Sequence, residues 1–384
     1  MQRVENDHMH VRDPIYHDIE LDDTAIKIIE EPSMQRLRYI RQNGFSYLVY
    51  IGANHTRFEH SLGTMHATQE LQEAIGDERQ ELALAGLLHD IGHGPFSHTS
   101  ERIIKKYLKK DHEGIGKEII KGTEISDIIA NSTASLKGVL GYFDGKGGYE
   151  IVGGTIGSDR IDYLLRDSYY TGVAYGMIDY HRIKSKIASY KGKMAIHEQG
   201  VTASESLLIA RYFMFKNVYM HHANIIADRM FEKAVEKAIE SGKLSAKEFS
   251  RMDDESAMHF LLNDKSSSVI AARLHSRRLF KRAFYGEIYK SARINEDELS
   301  QEIMRRGVDY NDFVVAVACM KLPLENIHVI DKNGKSLGLL GDLSPLVDVL
   351  LSDKLNKCML IVAAEPKLLK KVNLIVREYL TQKT

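Results

Sequence analysis

Between Leu87 and His98 the chain reads LLHDIGHGPFSH, which sets His89, Asp90, His93 and His98 behind an apolar lead-in. Adjacent imidazole and carboxylate donors, as at His89-Asp90, suit a borderline or hard divalent ion such as Mn²⁺, Fe²⁺, Mg²⁺ or Zn²⁺. Two ligands rarely suffice, so others must come from distant sequence. His60, in NHTRFEHSLG, and Asp159, in GSDRIDYLLRD, each stand where a polar loop meets a helix start. Two imidazoles and two carboxylates leave positions open for water and phosphate oxygens, the arrangement a hydrolytic metal site needs. Taken alone, a His-Asp pair is more often an ordinary hydrogen-bonded surface or core pair. The i, i+4 pair His89 and His93 also imitates a zinc-protease helix, but that motif has Glu directly after its first His, where this chain has Asp90. Gly92 and Gly94 further weaken the helical face that would carry His93.

The words RDPIYHDIEL, MQRLRYIRQNG, ANHTRFEHSLG, LLHDIGHGPFSH, KKDHEGIG and SDRIDYLLRD follow one another within residues 11 to 230. Together they resemble the HD-domain phosphohydrolases, and specifically the deoxynucleoside triphosphate triphosphohydrolases, both dGTPase-like and sterile-alpha-motif/HD-domain members. The resemblance implies a helical HD fold and one divalent ion held by His60, His89, Asp90 and Asp159. It implies that His93, His98, Glu101 and His112 surround the reacting phosphate; Glu101 stands where the animal members have Asp. Arg57, Arg160 and Lys216 would neutralise the phosphates. Gln42 and Asp167 would bond the sugar 3′-hydroxyl, and Tyr163 would face the position of a 2′-hydroxyl. Asn43 and Asn224 depart from the animal pattern near the sugar. Glu30, Gln35 and Arg38 match contacts of a nucleotide effector site that builds an oligomer, a dimer or tetramer, whereas Met9 and His10 do not match it.

The chemistry agrees with these residue types. Cleavage at the α-phosphorus of a deoxynucleoside triphosphate releases a sugar 5′ alkoxide, a poor leaving group that needs a proton. A histidine such as His98 supplies one near neutral pH. The triphosphate carries about four negative charges, and cationic side chains must meet them.

Composition narrows the class. Of 384 residues, 43% are apolar and 27% charged, so a sizeable core is expected. Lys and Arg total 52 against 53 Asp and Glu, so no global field points to nucleic acid or a membrane surface. Nucleic acid is not indicated, and an anionic ligand has to be caught locally. The two cysteines, Cys319 and Cys358, lie in apolar runs and read as buried thiols of a reducing compartment. The charged N-terminus has no apolar signal region and no run is long enough to span a bilayer, so a cytoplasmic location is expected.

The elements that must position these residues are mainly helices. Six prolines and a rich supply of Ala, Leu, Lys and Glu favour helix. Apolar spacing predicts two short helices split at Pro32, helices over HSLGTMHATQELQEAI, ERQELALAGLLHDIG, SERIIKKYLKK and SDRIDYLLRDSYYTG, and one long helix from Ser204 to Gly242. GVLGYFDGKGGYEIVGG reads as a hairpin or long loop at a cleft edge. Near the end, DFVVAVACM and KCMLIVAAE read as strands, Asn333-Gly334 as a hairpin turn, and LLKKVNLIVREYL as an amphipathic helix. The expected architecture is a mainly α HD body over residues 1–300 with a small α+β region over 301–384. The leading functional expectation is metal-dependent hydrolysis of deoxynucleoside triphosphates to deoxynucleoside and triphosphate. The alternatives are another HD-type nucleotide phosphohydrolase, a nucleotidase or signalling-nucleotide hydrolase, or a non-catalytic nucleotide-binding regulatory module.

Overall fold

A computed structural model describes residues 9–288, 294–320, 326–352 and 358–383. Strands β1 (Met9–Asp13) and β2 (His17–Leu21) form an antiparallel hairpin. Its turn closes because the Asp13 carboxylate accepts the Ile15 and Tyr16 amides at 2.8 and 3.0 Å. Pro32 divides the next stretch, as expected. Helix α1 (Asp23–Glu30), capped by Asp22, ends before it, and a short helical segment over residues 32–39 follows.

Five helices build the body around the motifs: α2 (Arg57–Ile75), α3 (Gln80–Leu88), α4 (His98–Leu108), α5 (His112–Gly122) and α6 (Ser158–Thr171). Helix α2 starts at Thr56 because Glu59 reaches back to the Thr56 amide (2.5 Å) and hydroxyl (2.9 Å), a capping box that fixes where Arg57 and His60 begin their turn. Helix α3 is apolar all round after its first residues and is buried from Leu82 to Leu88, as a helix at the centre of a body must be. It packs against α2, which in turn packs against α6. The approach of α6 needs Gly63, where a Cβ would stand 1.9 Å from Asp162 Oδ1.

Two expectations about local structure are corrected. Residues 135–157 form two short helices, Leu136–Tyr142 and Tyr149–Gly153, rather than a hairpin or long loop; the left-handed glycines Gly145, Gly147 and Gly148 make only the turn between them. The single long helix is two, α7 (Val201–Met214) and α8 (His222–Glu240), separated by a π-type turn over Phe215–Tyr219.

The remaining strands are β3 (Ile187–Tyr190), β4 (Lys193–His197), β5 (Lys281–Ile288), β6 (Phe313–Cys319), β7 (His328–Ile330), β8 (Ser336–Leu339) and β9 (Cys358–Ala364). They form a sheet of order β5-β9-β6, all antiparallel, and a sheet of order β3-β4-β7-β8 in which β4 and β7 run parallel. Helices α9 (Glu296–Arg305) and α10 (Leu369–Lys383) cover the first sheet. Successive residues of a strand face opposite sides. Phe313, Val315, Leu360 and Val362 accordingly pack with α9 and α10, while Val314, Ala316, Ile361 and Ala363 join the main helical core. The architecture is thus mainly α with a small C-terminal α+β part. Both sheets take strands from before residue 300, so the expected boundary there is not a break in packing.

Cys319 and Cys358 sit directly opposite each other in the β6–β9 register and are joined by a disulfide. This corrects the expectation of two separate buried thiols. Among the described residues no helix is long and apolar enough to cross a membrane.

Candidate metal centre and active site

His60 comes from the first turn of α2, His89 and Asp90 from the end of α3, and Asp159 from the first turn of α6. The structure brings all four together. His60 Nε2 lies 3.2 Å from His89 Nε2, 3.1 Å from Asp159 Oδ1 and 3.5 Å from Asp90 Oδ2. His89 Nε2 lies 3.3 Å from Asp90 Oδ1 and 3.8 Å from Asp159 Oδ1. Donors about 2.0–2.2 Å from a shared ion stand roughly 3.0–3.5 Å apart in tetrahedral or octahedral arrangement, so the spacing fits one ion.

The hydrogen-bond pattern points the same way. His89 Nδ1 faces the Gly86 carbonyl at 2.7 Å, an acceptor only, so Nδ1 carries the hydrogen. His60 Nδ1 faces the Asp162 carboxylate at 2.7 Å and does the same. Both Nε2 atoms then turn lone pairs toward each other and toward two carboxylates, and a cation must sit among them. Without metal a proton does: His60 is pushed up to about 10, burial opposing its charge while hydrogen bonds to Asp159 and Asp162 and the field of Asp90 outweigh it. Asp159 is held down to about 2 against its burial by the His60 bond and the two imidazoles.

A second layer fixes this set. Asp162, one turn along α6 from Asp159, orients His60 and is itself gripped by Arg166 at 2.8 and 3.0 Å; Arg166 then reaches Asp13 of the β1–β2 turn at 2.7 Å. All three are buried. A carboxylate behind a ligating histidine fixes its ring and raises its basicity. On the other side the buried Arg57 ion-pairs with Asp90, donates to Ser97 Oγ at 2.8 Å and reaches the Gln42 carbonyl at 3.4 Å. That pairing holds Asp90 ionised, well below the usual carboxylate range, despite burial. Arg57, expected to meet phosphate, is here tied to three protein acceptors through Nε, Nη1 and Nη2.

His93, His98, Glu101 and His112 form a neighbouring group. Glu101 Oε1 accepts from His112 Nδ1 at 2.7 Å and His98 Nδ1 at 3.1 Å. His93 stacks on His112 with ring centroids 4.1 Å apart, and its Nε2 stands 3.2 Å from Asp90 Oδ1. Burial, with Arg57 and His112 adding like charge, keeps His93 neutral, well below its usual value. His112 is raised, its burial outweighed by the Glu101 bond, and Glu101 is lowered far below the usual range against its own burial by both imidazoles. His98 is the exposed member.

Next along α6 come Arg160, Tyr163 and Asp167. Arg160 Nη1 is buried without a protein partner, and burial and the like charge of Arg211 lower its pKa. Arg211, buried on α7, lies close enough to Arg160, Tyr163 and Tyr219 to influence each. Asp167 Oδ1 meets His55 Nε2 at 2.7 Å and Oδ2 accepts the Tyr219 hydroxyl at 2.5 Å. Gln42 Oε1 is buried and without a partner. Lys216 is not brought to this group: it is exposed, with its ammonium 5.8 Å from the Tyr212 ring centroid. The α7 cation that joins Arg160 is Arg211. Asn43 Nδ2 is 3.5 Å from His55 Nε2, while Asn224 turns inward to Ser46 Oγ (3.0 Å) and the Val218 carbonyl (3.1 Å). Tyr219, Arg211, His55 and Asp162 are the site residues missed from the sequence.

Of the expected effector residues, Arg38 Nε donates to Gln35 Oε1 at 2.8 Å and stacks over Phe58 at 3.7 Å; Glu30 is exposed at the end of α1.

The HD domain model matches residues 57–146 and the HD associated region matches residues 178–384. The chain belongs to the HD-domain family that carries this associated region, and it is an HD-type phosphohydrolase. A solved relative, a hypothetical protein from Aquifex aeolicus, superposes with a TM-score of 0.81 at 30% identity, covering 96% of this chain and 100% of that one. An uncharacterized protein of Methanocaldococcus jannaschii is 38% identical over 357 residues, 88% of this chain and 75% of its own length. The human deoxynucleoside triphosphate triphosphohydrolase SAMHD1 is 27% identical over 370 residues, 81% of this chain and 59% of that protein.

Proposed function

We propose that this protein hydrolyses deoxynucleoside triphosphates at the α-phosphorus to deoxynucleoside and triphosphate. One observation carries the reading: a single helix, α6, presents in order a metal donor (Asp159), a half-buried cation whose Nη1 is buried without a partner (Arg160), an aromatic wall (Tyr163) and a buried carboxylate (Asp167). At 1.5 Å per residue the stripe from Asp159 to Asp167 is about 12 Å long. It sets phosphate-binding and sugar-binding groups on one line. The names of the SAMHD1 relatives support the same substrate class.

A divalent ion held by His60, His89, Asp90 and Asp159 would polarise the phosphoryl oxygen and lower the pKa of a water. His98, exposed at the first turn of α4 with Nδ1 on Glu101, has Nε2 free to give its proton to the departing 5′ oxygen. Glu101 holds both His98 and His112 oriented. Neutral His93 can donate its one N–H to a phosphate oxygen without repelling the ion. Half-buried Arg160 and buried Arg211 repel each other, and an anion bound by both would relieve that repulsion. Gln42 Oε1 needs a donor such as the 3′-hydroxyl, and Tyr163 and Tyr219 meet edge to face with ring centroids 6.4 Å apart. A site whose buried polar groups are left unpaired by the wrong sugar discriminates strongly.

We further read the chain as a cytoplasmic homo-oligomer.

The test is product analysis. The purified chain is incubated with Mn²⁺ and each dNTP or NTP, and products are resolved by anion exchange. Deoxynucleoside with tripolyphosphate is expected. Orthophosphate with a nucleoside diphosphate would place the chain among nucleotidase-type hydrolases instead, and no turnover with any divalent ion would leave a binding module.

A further inference from the structure

The loop Ile91–Ser97 carries His93 between the metal donors and α4, and its backbone is strained. Phe96 and Ser97 lie at φ +57° and +56°, and Ser97 has ψ −124°. Two successive non-glycine residues in the positive-φ half of the map persist only where surrounding contacts over-determine them.

Those contacts converge from distant chain. The Phe96 amide donates to Asp254 Oδ1 at 2.6 Å. Asp254 Oδ2 accepts the Arg41 amide at 3.0 Å and the Arg41 guanidinium at 3.4 Å. Asp254 is buried in the first turn of the helix Asp254–Asn263 and touches none of the four metal donors. Ser97 Oγ donates to the Arg41 carbonyl at 2.5 Å. At the other end of the loop, Arg36 Nη2 donates to the Ile91 carbonyl (3.0 Å) and the His93 carbonyl (2.8 Å), and Nη1 to the Met252 carbonyl (2.9 Å). The Phe96 ring is stacked on Phe45, centroids 4.3 Å apart. The loop is therefore gripped at both ends by charged side chains that lie outside the metal cluster: Arg36 at the His93 end, Asp254 at the Phe96 end.

We propose that Arg36 and Asp254 are positioning residues that hold the Ile91–Ser97 loop in its strained form and so aim His93 at the reacting phosphate. The step to catalysis rests on the hydrolytic reading above; the grip on the loop does not. Each residue bonds a different end, so each loss frees the loop without emptying the metal cluster. Asp254→Asn keeps one acceptor but turns a donor toward an Arg41 N–H, and Arg36→Met removes both carbonyl bonds of the loop.

The test uses the full chain and three measurements. Backbone hydrogen exchange is expected to rise in residues 91–97 of Arg36→Met and Asp254→Asn, with α2 and α6 unchanged. Mn²⁺ affinity by calorimetry is expected to stay within about threefold, since second-layer effects on a metal run to tenfold or more. The kcat is expected to fall about 10²-fold with KM little changed, the consequence of a misplaced group. Arg36→Lys, which still reaches a carbonyl, should recover part of both kcat and loop protection. Unchanged exchange in the loop would overturn the proposal, as would a loss of Mn²⁺ affinity in step with kcat. Should the wild-type chain turn over no nucleotide, the hydrolytic reading fails, while exchange in the variants still decides whether these residues grip the loop.

Discussion

Glu101 Oε1 lies 2.7 Å from His112 Nδ1, and this bond sets the charge of the histidine. Burial pulls His112 below its ordinary 6.5, and the carboxylate more than restores it. In Glu101→Gln the burial remains and the carboxylate charge is gone. The alkaline limb of the kcat profile is therefore expected to move to lower pH. The stability sign follows from both partners. The His112 part is fully present below about 6.5 and fades as pH rises through its raised value; the Glu101 part is present above about 4.5 and fades as pH falls through its lowered one. The stability gap between wild type and Glu101→Gln should thus be widest between about pH 4.5 and 6.5. A gap that keeps growing above that range in thermal unfolding would contradict the pairing.

Metal binding should release a proton. His60 is raised to about 10 in the metal-free protein, so it is charged at neutral pH. Its stabilising contribution is complete below about 6.5 and is lost as pH climbs through about 10. Since a ligating imidazole must be neutral, Mn²⁺ binding at pH 7.5 is expected to expel about one proton and to weaken roughly tenfold per unit of falling pH. Calorimetry in buffers of different ionisation enthalpy reads this directly. Identical heats in all buffers would mean His60 is not displaced.

Asp162→Asn should weaken the metal without touching a ligand. It removes the charge behind His60 and leaves buried Arg166 with Asp13 as its one carboxylate partner among the described residues. A loss of about 10- to 100-fold in Mn²⁺ affinity is expected, along with about 3–5 kcal/mol of stability from the broken buried pair. Asp13→Asn breaks the far end of the same chain and should cost stability but less affinity. Equal metal affinity in wild type and Asp162→Asn would show that the relay does not reach His60.

Why these residues differ in legibility is physical. His89-Asp90 is a contiguous dipeptide, and His60 and Asp159 head helices whose caps and periods are written locally. Asp162 could have been found: it and Arg166 step three and seven residues from Asp159, on the stripe of α6 that must face α2. Arg211 and Tyr219 could not be placed by period alone. The π-type turn over Phe215–Tyr219 breaks the helical phase, so treating α7 and α8 as one helix turns Tyr219 away from the face that Arg211 presents, while Lys216 rested on the resemblance rather than on period. The β1–β2 hairpin was hidden because its outward residues are charged. The Cys319–Cys358 pairing depends on the β6–β9 register, which is a tertiary fact.

That disulfide closes a 39-residue separation. On the chain-entropy account such a closure is worth about 3–4 kcal/mol. Reductant, or Cys319→Ser, is expected to lower the urea midpoint of the oxidised chain accordingly. The metal cluster lies on other elements, so Mn²⁺ affinity should hold. An unchanged midpoint would mean the pair is not bonded in solution.

The two candidate α7-side cations give the sharpest comparison. Arg211 is buried and coupled to Arg160, Tyr163 and Tyr219, whereas Lys216 is exposed over Tyr212. A charge-assisted hydrogen bond contributes about 1.5–3 kcal/mol, or roughly 10- to 100-fold in kcat/KM. Arg211→Gln should lose that much against a deoxynucleoside triphosphate, and Arg160→Gln a similar amount. The double variant should lose less than the product of the two, because removing one cation relieves the repulsion felt by the other. Lys216→Gln should stay within about twofold, as exposed pairs do. If Lys216→Gln proves the damaging change and Arg211→Gln the silent one, the π-type turn is misplaced and the phosphate end of the pocket has to be rebuilt around the exposed side of α7.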